Sequence, residues 1–226
     1  MILLAIDCSA NLCAACVYDA LAGRDLGRSV LDLGKGHAEH LMDVIAEALQ
    51  RAGKTYADLG AIAVSTGPGS FTGVRVAVST ARGLSLALKI PAIGVTTLEA
   101  LAAEAAGTFP GRAVLAALDA GRAEIHAALY DGDGRLCHGP RAMSLEQAAA
   151  LANQASPVLA GTAAALISET AGANFDIGAS AATADIATYA RLAAAKGAGG
   201  GRPKPVYLRE ADAKPQAGFV LPRAVP

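Results

Sequence analysis

The chain has 226 residues, 53% of them hydrophobic, with 19 Lys and Arg set against 20 Asp and Glu. That length can bury a substantial core, as one large domain or two small ones sharing a face, while the balanced charge leaves no surplus for gripping a phosphate backbone unaided. No uncharged run reaches the roughly 20 continuous apolar residues of a membrane helix, and Met1-Ile2-Leu3-Leu4-Ala5-Ile6 meets Asp7 without a basic leader, so no membrane and a cytoplasmic setting are expected.

In chain order, Leu3 to Asp7 reads as a first strand that enters a turn at Asp7-Cys8-Ser9-Ala10. Cys13 to Asp19 alternates as its hairpin partner, and Gly27 to Leu33 completes a three-stranded meander. Cys13-Ala-Ala-Cys16 has the spacing of half a zinc site. Residues three apart on a strand point to opposite faces, however, and Cys8 and Cys137 offer no second pair, so the cysteines read as small core residues and no metal is expected. Gly36-His37-Ala38-Glu39-His40 opens a helix in which Leu41, Val44, Ile45, Ala48, Leu49 and Ala52 keep helical spacing until Gly53. His37 and His40 are three apart with no third ligand in view, and read as polar residues at the helix tip.

Ala61-Ile62-Ala63-Val64 suits a buried strand, and Val74 to Leu88, rich in Ala and Leu, a helix. Between them lies Gly67-Pro68-Gly69-Ser70-Phe71-Thr72-Gly73, a tight loop ending in hydroxyls that can cap the helix. N–H groups converge at such a turn and can hold an anion. It is not a Walker loop, because Gly73 is followed by Val74 and not by lysine. Asp7, Gly67, Gly69, Ser70, Thr72 and Gly73 form a candidate phosphate or nucleotide remnant, with a turn-forming Asx role as the plainer reading of Asp7. Ala92 to Val95 is a further strand and Leu98 to Ala106 a helix.

Gly107-Thr108-Phe109-Pro110-Gly111 breaks that helix and sets the expected boundary between subdomains 1–106 and 107–226. Beyond it the pattern repeats. Ala5-Ile6-Asp7 aligns with Ala117-Leu118-Asp119 and, without a gap, Tyr18-Asp19 with Tyr130-Asp131, which predicts equivalent places for the two aspartates on two similar sheets. Strands are expected at Val114–Leu118, Glu124–Tyr130, Arg135–Met143 and Val158–Ala160, and helices at Leu145–Asn153, Ala163–Ala171 and Ile186–Lys196. From about 197 the chain turns irregular and Pro-rich, with Val206-Tyr207-Leu208 suited to packing back on the sheet. Ser9, Ser65 and Ser70 sit in no nucleophile elbow, and His126 lies mid-strand.

Gly67-Pro-Gly-Ser-Phe-Thr-Gly-Val-Arg75, with Ile6-Asp7-Cys8-Ser9 before it and Pro91-Ala92-Ile93-Gly94-Val95 after it, closely resembles the TsaB (YeaZ) family over about the first hundred residues. Leu118-Asp119-Ala120-Gly121-Arg122 and Pro205-Val206-Tyr207-Leu208-Arg209 are similar to later features of that family. The resemblance implies an α/β fold of two ribonuclease-H-like subdomains of the actin-like superfamily, built from duplicated βββαβα units. It also implies a non-catalytic dimerisation or scaffold subunit, partner of the paralogue TsaD and, with TsaE, a participant in threonylcarbamoyl transfer to tRNA adenosine. A homodimer in isolation, tRNA contact only through the complex, and no cofactor of its own beyond a nucleotide shared at the partner interface go with it. The metal-binding H-x-x-x-H pair of TsaD falls on Thr97 and Leu101, which cannot rebuild that centre.

The partner surface is expected on the helix from His37 and the helix after the Gly67 loop. His37, His40, Leu41, Val44, Ala48, Arg75, Ala77, Ala81 and Ser85 are its candidates, with Ala77, Ala81 and Ser85 as a row of small residues open to a second helix. The alternative function is an actin-fold ATPase or small-molecule kinase using Asp7, the Gly67 loop and Asp119 around a magnesium nucleotide.

Overall fold

The computed structural model describes residues 1–208; Arg209 and the rest of the terminal segment lie outside the described residues. β1 (Ile2–Asp7), β2 (Leu12–Asp19) and β3 (Arg24–Asp32) form the meander, followed by α1 (His37–Ala52), β4 (Ala61–Ser65), α2 (Phe71–Leu88), β5 (Ala92–Val95) and α3 (Thr97–Thr108). The second half runs β6 (Val114–Asp119), β7 (Glu124–Tyr130), β8 (Leu136–Ser144), α4 (Leu145–Ala155), β9 (Val158–Ala160), α5 (Ala164–Ala171) and α6 (Ile186–Lys196). Local chemistry sets the helix ends. Ser70, Thr96, Ser144 and Asp185 each accept a backbone N–H at the start of α2, α3, α4 and α6, and Gly53 and Gly172 close α1 and α5 in the left-handed conformation.

The strands form two sheets, in the orders β3-β2-β1-β4-β5 and β8-β7-β6-β9. In each, two antiparallel pairs are followed by a parallel one: β1 with β4, and β6 with β9. The duplication is therefore real as topology, but the gap-free alignment is not its register. Leu4 pairs with Val17 and Leu115 with Leu129, so once Val17 is matched to Leu129 the equivalent of Leu4 is Leu115, one position short of the predicted offset. Asp7 then corresponds to Leu118, and Asp119 points to the other face. The reason lies in the second hairpin, whose turn is tightened by positive φ at Gly121, Arg122 and Ala123.

Three apolar layers result. Leu4, Ile6, Val17 and Ile62 pack beneath Leu41, Val44 and Ile45 of α1 and Val74, Ala77, Val78 and Ala81 of α2. Leu115, Ile125 and Leu159 pack beneath α4 and α5 through Ala148, Ala152, Ala164 and Ile167. Between the sheets, Leu3, Tyr18, Val114 and Tyr130 enclose Leu98, Leu101, Tyr189 and Ala193.

The expected boundary at 106 falls inside α3. α3 continues to Thr108 and packs on β6, β7 and β9, whereas α6, from the second half, packs on β1, β2, β4 and β5. Each half supplies the helix that covers the other half's sheet, because a Gly-Thr pair near a helix end costs too little to stop a helix whose apolar residues are being buried on both sides.

Burial in the central layer carries a pH signature. Desolvation pushes the Tyr130 phenol up to about 12 and raises Tyr189 further still. A phenol held above its unfolded value of about 10 contributes stability that is complete below that pH and lost as pH rises through the folded value. Thermal melts are expected to hold level to about pH 10 and then fall steeply toward pH 12. Tyrosinate absorbance, unobscured because the sequence has no Trp, should rise with the loss of structure. Full ionisation of all tyrosines in a still-folded chain would contradict this.

Candidate functional site

The carboxyl ends of β1 and β6 face each other across a cleft of about 1010 Å³ lined by Ser9, the Pro68–Phe71 loop, Asp119, His126, Thr162 and Tyr207. Asp7, expected to line it, is sealed at 1% exposure. Its Oδ1 accepts the Ser9 N–H at 2.8 Å and its Oδ2 the Thr183 hydroxyl at 2.7 Å. With Thr183 donating to Asp7, the Tyr189 hydroxyl at 2.7 Å donates to Thr183. This buried chain ties the end of β1 to the start of α6, and it meets both carboxylate oxygens with protein donors. Thr183→Val removes a donor from a buried carboxylate and should cost about 1–3 kcal/mol, read as a lower urea midpoint; an unchanged midpoint would show that Asp7 has another donor.

Two amides of the glycine loop are likewise spent on neighbouring groups. Ser70 N–H donates to the Ser9 carbonyl at 2.6 Å, and Gly73 N–H to Ser70 Oγ at 3.1 Å. Gly67 is buried with a positive φ, and only Thr72 of the hydroxyl pair is fully exposed. Those two bonds tie the loop to the end of β1, while Gly69 and Thr72 of the candidate phosphate remnant stay exposed. Asp119 is exposed; its Oδ1 accepts Gly121 N–H, and its own N–H goes to Thr162.

The returning terminal segment forms one wall, as Val206-Tyr207-Leu208 suggested. Val206 N–H donates to the Thr66 carbonyl at 2.8 Å. The Arg75 guanidinium lies 4.1 Å over the Phe71 ring and its Nε donates to the Tyr207 hydroxyl at 2.9 Å. Arg75 therefore belongs to the cleft rim. Sequence reasoning had no access to this cluster or to Thr183, because Thr183 and Asp7 are 176 residues apart and neither carries a local motif.

The candidate partner surface is rearranged by the structure. Leu41, Val44, Ala48, Ala77 and Ala81 are buried in the chain's own outer layer, and His37 turns inward. Ser85 is half-buried and donates to the Ile90 carbonyl; His40 is exposed. The small residues at 77 and 81 are small because α2 lies close on β4. The outward row is two positions further on: Ser79, Gly83 and Ala87 are exposed, beside Leu86 at 77% exposure, and on α1 Ala38, Met42 and Ala46 face out at the same i, i+4 spacing. Among the described residues, no group lies within 4 Å of where a Gly83 side chain would start.

Two sheets of matching strand order, with helices outside and between them and a cleft at their carboxyl ends, place the chain in the actin-like, ribonuclease-H-like class. A polyphosphate/ATP-glucomannokinase from Arthrobacter, 14% identical with a TM-score of 0.51 over 87% of this chain and 99% of that one, shares the fold alone. The family described as TsaD, tRNA N6-adenosine threonylcarbamoyltransferase, matches residues 32–199. The structure of YeaZ from Pseudomonas aeruginosa is 30% identical with a TM-score of 0.75, covering 92% of this chain and 99% of that one. Escherichia coli TsaB is 38% identical over 97 residues, 43% of this chain and 42% of that protein. TsaB of Buchnera aphidicola from Schizaphis graminum is 35% identical over 129 residues, 57% of this chain and 60% of that protein. The chain belongs to the TsaB/YeaZ branch of this family, and the aligned stretch spans about half the length of the curated relatives it matches.

Proposed function

We propose that the chain is a non-catalytic partner subunit in threonylcarbamoyladenosine biosynthesis on tRNA, pairing with a TsaD-type catalytic subunit, with a TsaE-type ATPase in the same assembly. The observation that carries this is the state of Thr97 and Leu101, the positions where the resemblance puts the catalytic paralogue's metal ligands: both are fully buried in the central apolar layer. A hydroxyl and an isobutyl group closed off from solvent offer a metal neither ligands nor an approach for substrate. The relatives' printed role in threonylcarbamoyladenosine biosynthesis supports the same reading.

Pairing is assigned to the outward face of α1 and α2. An exposed glycine in mid-helix costs about 1 kcal/mol relative to alanine, and nothing among the described residues requires one at Gly83. A second helix laid along Ser79, Gly83 and Ala87, with Leu86 and Met42 as the larger contacts, would use it, and a second copy can occupy the same face in isolation.

The test is reconstitution with a TsaD-type subunit, a TsaE-type ATPase, tRNA and a threonylcarbamoyl donor. Modified tRNA should form only when this chain is added, and the chain alone should give none. Turnover by the purified chain, or full activity without it, would overturn the proposal. The kinase alternative is favoured by the open cleft and opposed by the sealed Asp7; tight magnesium-dependent ATP binding by the isolated chain would revive it.

A further inference from the structure

The cysteines were set aside as a metal site because Cys13 and Cys16 point to opposite faces, and they do: Cys13 lies in the outer layer, Cys16 in the central one. Cys8, read as unpaired, is not. The β1/β2 register places Asp7 opposite Ala14, and one step further places Cys8 opposite Cys13. Their Sγ atoms are 3.8 Å apart, and both side chains are buried under α1 and α2. Directly opposed residues of antiparallel strands have Cβ atoms about 4.5–5.5 Å apart, and a disulfide accepts about 3.5–4.5 Å. Closing the sulfurs to about 2 Å asks for side-chain rotation plus a small approach of the strand ends. The pair stands at the mouth of the hairpin, both thiols at 0% exposure, next to a turn whose Asn11 is exposed.

We propose that Cys8 and Cys13 are a reversible thiol–disulfide site, oxidised by a peroxide. The Cys13 thiolate attacks one peroxide oxygen, breaking the O–O bond and giving a sulfenic acid and, with hydrogen peroxide, one water. The Cys8 sulfur then attacks Cys13 Sγ, forming the S–S bond and expelling the sulfenic oxygen as a second water. Two thiols lose two electrons and two protons, and the peroxide takes both; a dithiol reductant returns them. The two sulfurs stand 3.8 Å apart and either can donate to the other, so the order, Cys13 first, is part of what Cys8→Ser tests.

The location gives the bond a consequence. The Cys8 carbonyl lies against Gly73, and the Ser9 carbonyl takes the Ser70 N–H at 2.6 Å, so a shift of the Cys8 backbone is passed to the start of α2. No competing partner is in place, since Cys16 faces the other side of β2 and Cys137 is exposed on the second sheet.

The experiment uses the full chain, reduced, treated with hydrogen peroxide, unfolded, alkylated and digested. Cys8 and Cys13 should escape alkylation together, the fragment from Met1 to Arg24 should be lighter by two hydrogens, and Cys16 should still be alkylated. Dithiothreitol should restore alkylation at both. In the oxidised chain the amide exchange of Ser70 and Gly73 should differ from the reduced one. In Cys8→Ser, a near-isosteric change, the fragment from Met1 to Arg24 should gain oxygen at Cys13 in place of losing two hydrogens. The proposal is overturned if Cys8 and Cys13 stay alkylatable once Cys137 has been fully oxidised, if Cys13 is bonded to Cys16, or if the Met1 to Arg24 fragment of Cys8→Ser still loses two hydrogens.

Discussion

Gly73→Ala is expected to cost about 4 kcal/mol, at the upper end of what single substitutions do. A methyl group there would sit 2.0 Å from the Cys8 carbonyl oxygen, and one on Gly69 would sit 2.1 Å from that of Ser9. Both obstacles are backbone atoms, so no rotamer relieves them, and both belong to strand end β1, pinned by Asp7 to Thr183. Relief requires α2 to lift off the sheet, exposing Val74, Ala77 and Val78, which the outer layer buries. For a chain of this size the melting temperature should drop by roughly 10 °C. Gly83→Ala is the internal control: the same substitution, in the same helix, into open space, should be neutral or stabilising by about 0.5–1 kcal/mol. Urea midpoints for the two variants check the pair, and a Gly73→Ala midpoint matching that of Gly83→Ala would mean that loop and strand are not in contact in solution.

Why so much of the fold is legible in the sequence can be read from the same loop. β7, β9 and α6 have the bounds their patterns predict, because alternation, short β-branched runs and an aspartate cap are local signals that tertiary packing here reinforces. What is not local is lost. A register offset of one residue flips every side chain of a strand while leaving the Ala-rich alignment just as convincing, which is how Asp7 and Asp119 came to be matched. The exchange of α3 and α6 between sheets leaves no mark, since an Ala- and Leu-rich helix buried on most sides shows little amphipathic bias. At the site, the glycine string identifies the family, yet whether its amides face a ligand or a neighbouring carbonyl depends on Ser9 and Thr183, which no spacing rule connects.

The partner face turns on the same distinction, and two arginine substitutions separate its two readings. Ala81, expected in an outward row of small residues, is at 0% exposure, so Ala81→Arg tests the fold. Arginine there must either bury an unpaired guanidinium or push α2 away from β4. The expected loss is at least about 4 kcal/mol, with much of the chain unfolded at ambient temperature. Gly83→Arg, two positions on, starts from an exposed site where no described group lies within 4 Å of the added Cβ, and it replaces the weakest helix former but proline in α2. The isolated chain should melt at or slightly above the parent temperature. A second helix cannot lie against Ser79, Gly83 and Ala87 with that side chain between them, however, and association should weaken by about 2–4 kcal/mol, some 30- to 1000-fold. Light scattering of the chain alone and titration with a TsaD-type subunit measure the second effect, thermal melting the first. If Gly83→Arg folds and still binds both itself and the TsaD-type subunit as the parent does, the outward face of α2 is not the pairing surface, and the exposed glycine needs another cause.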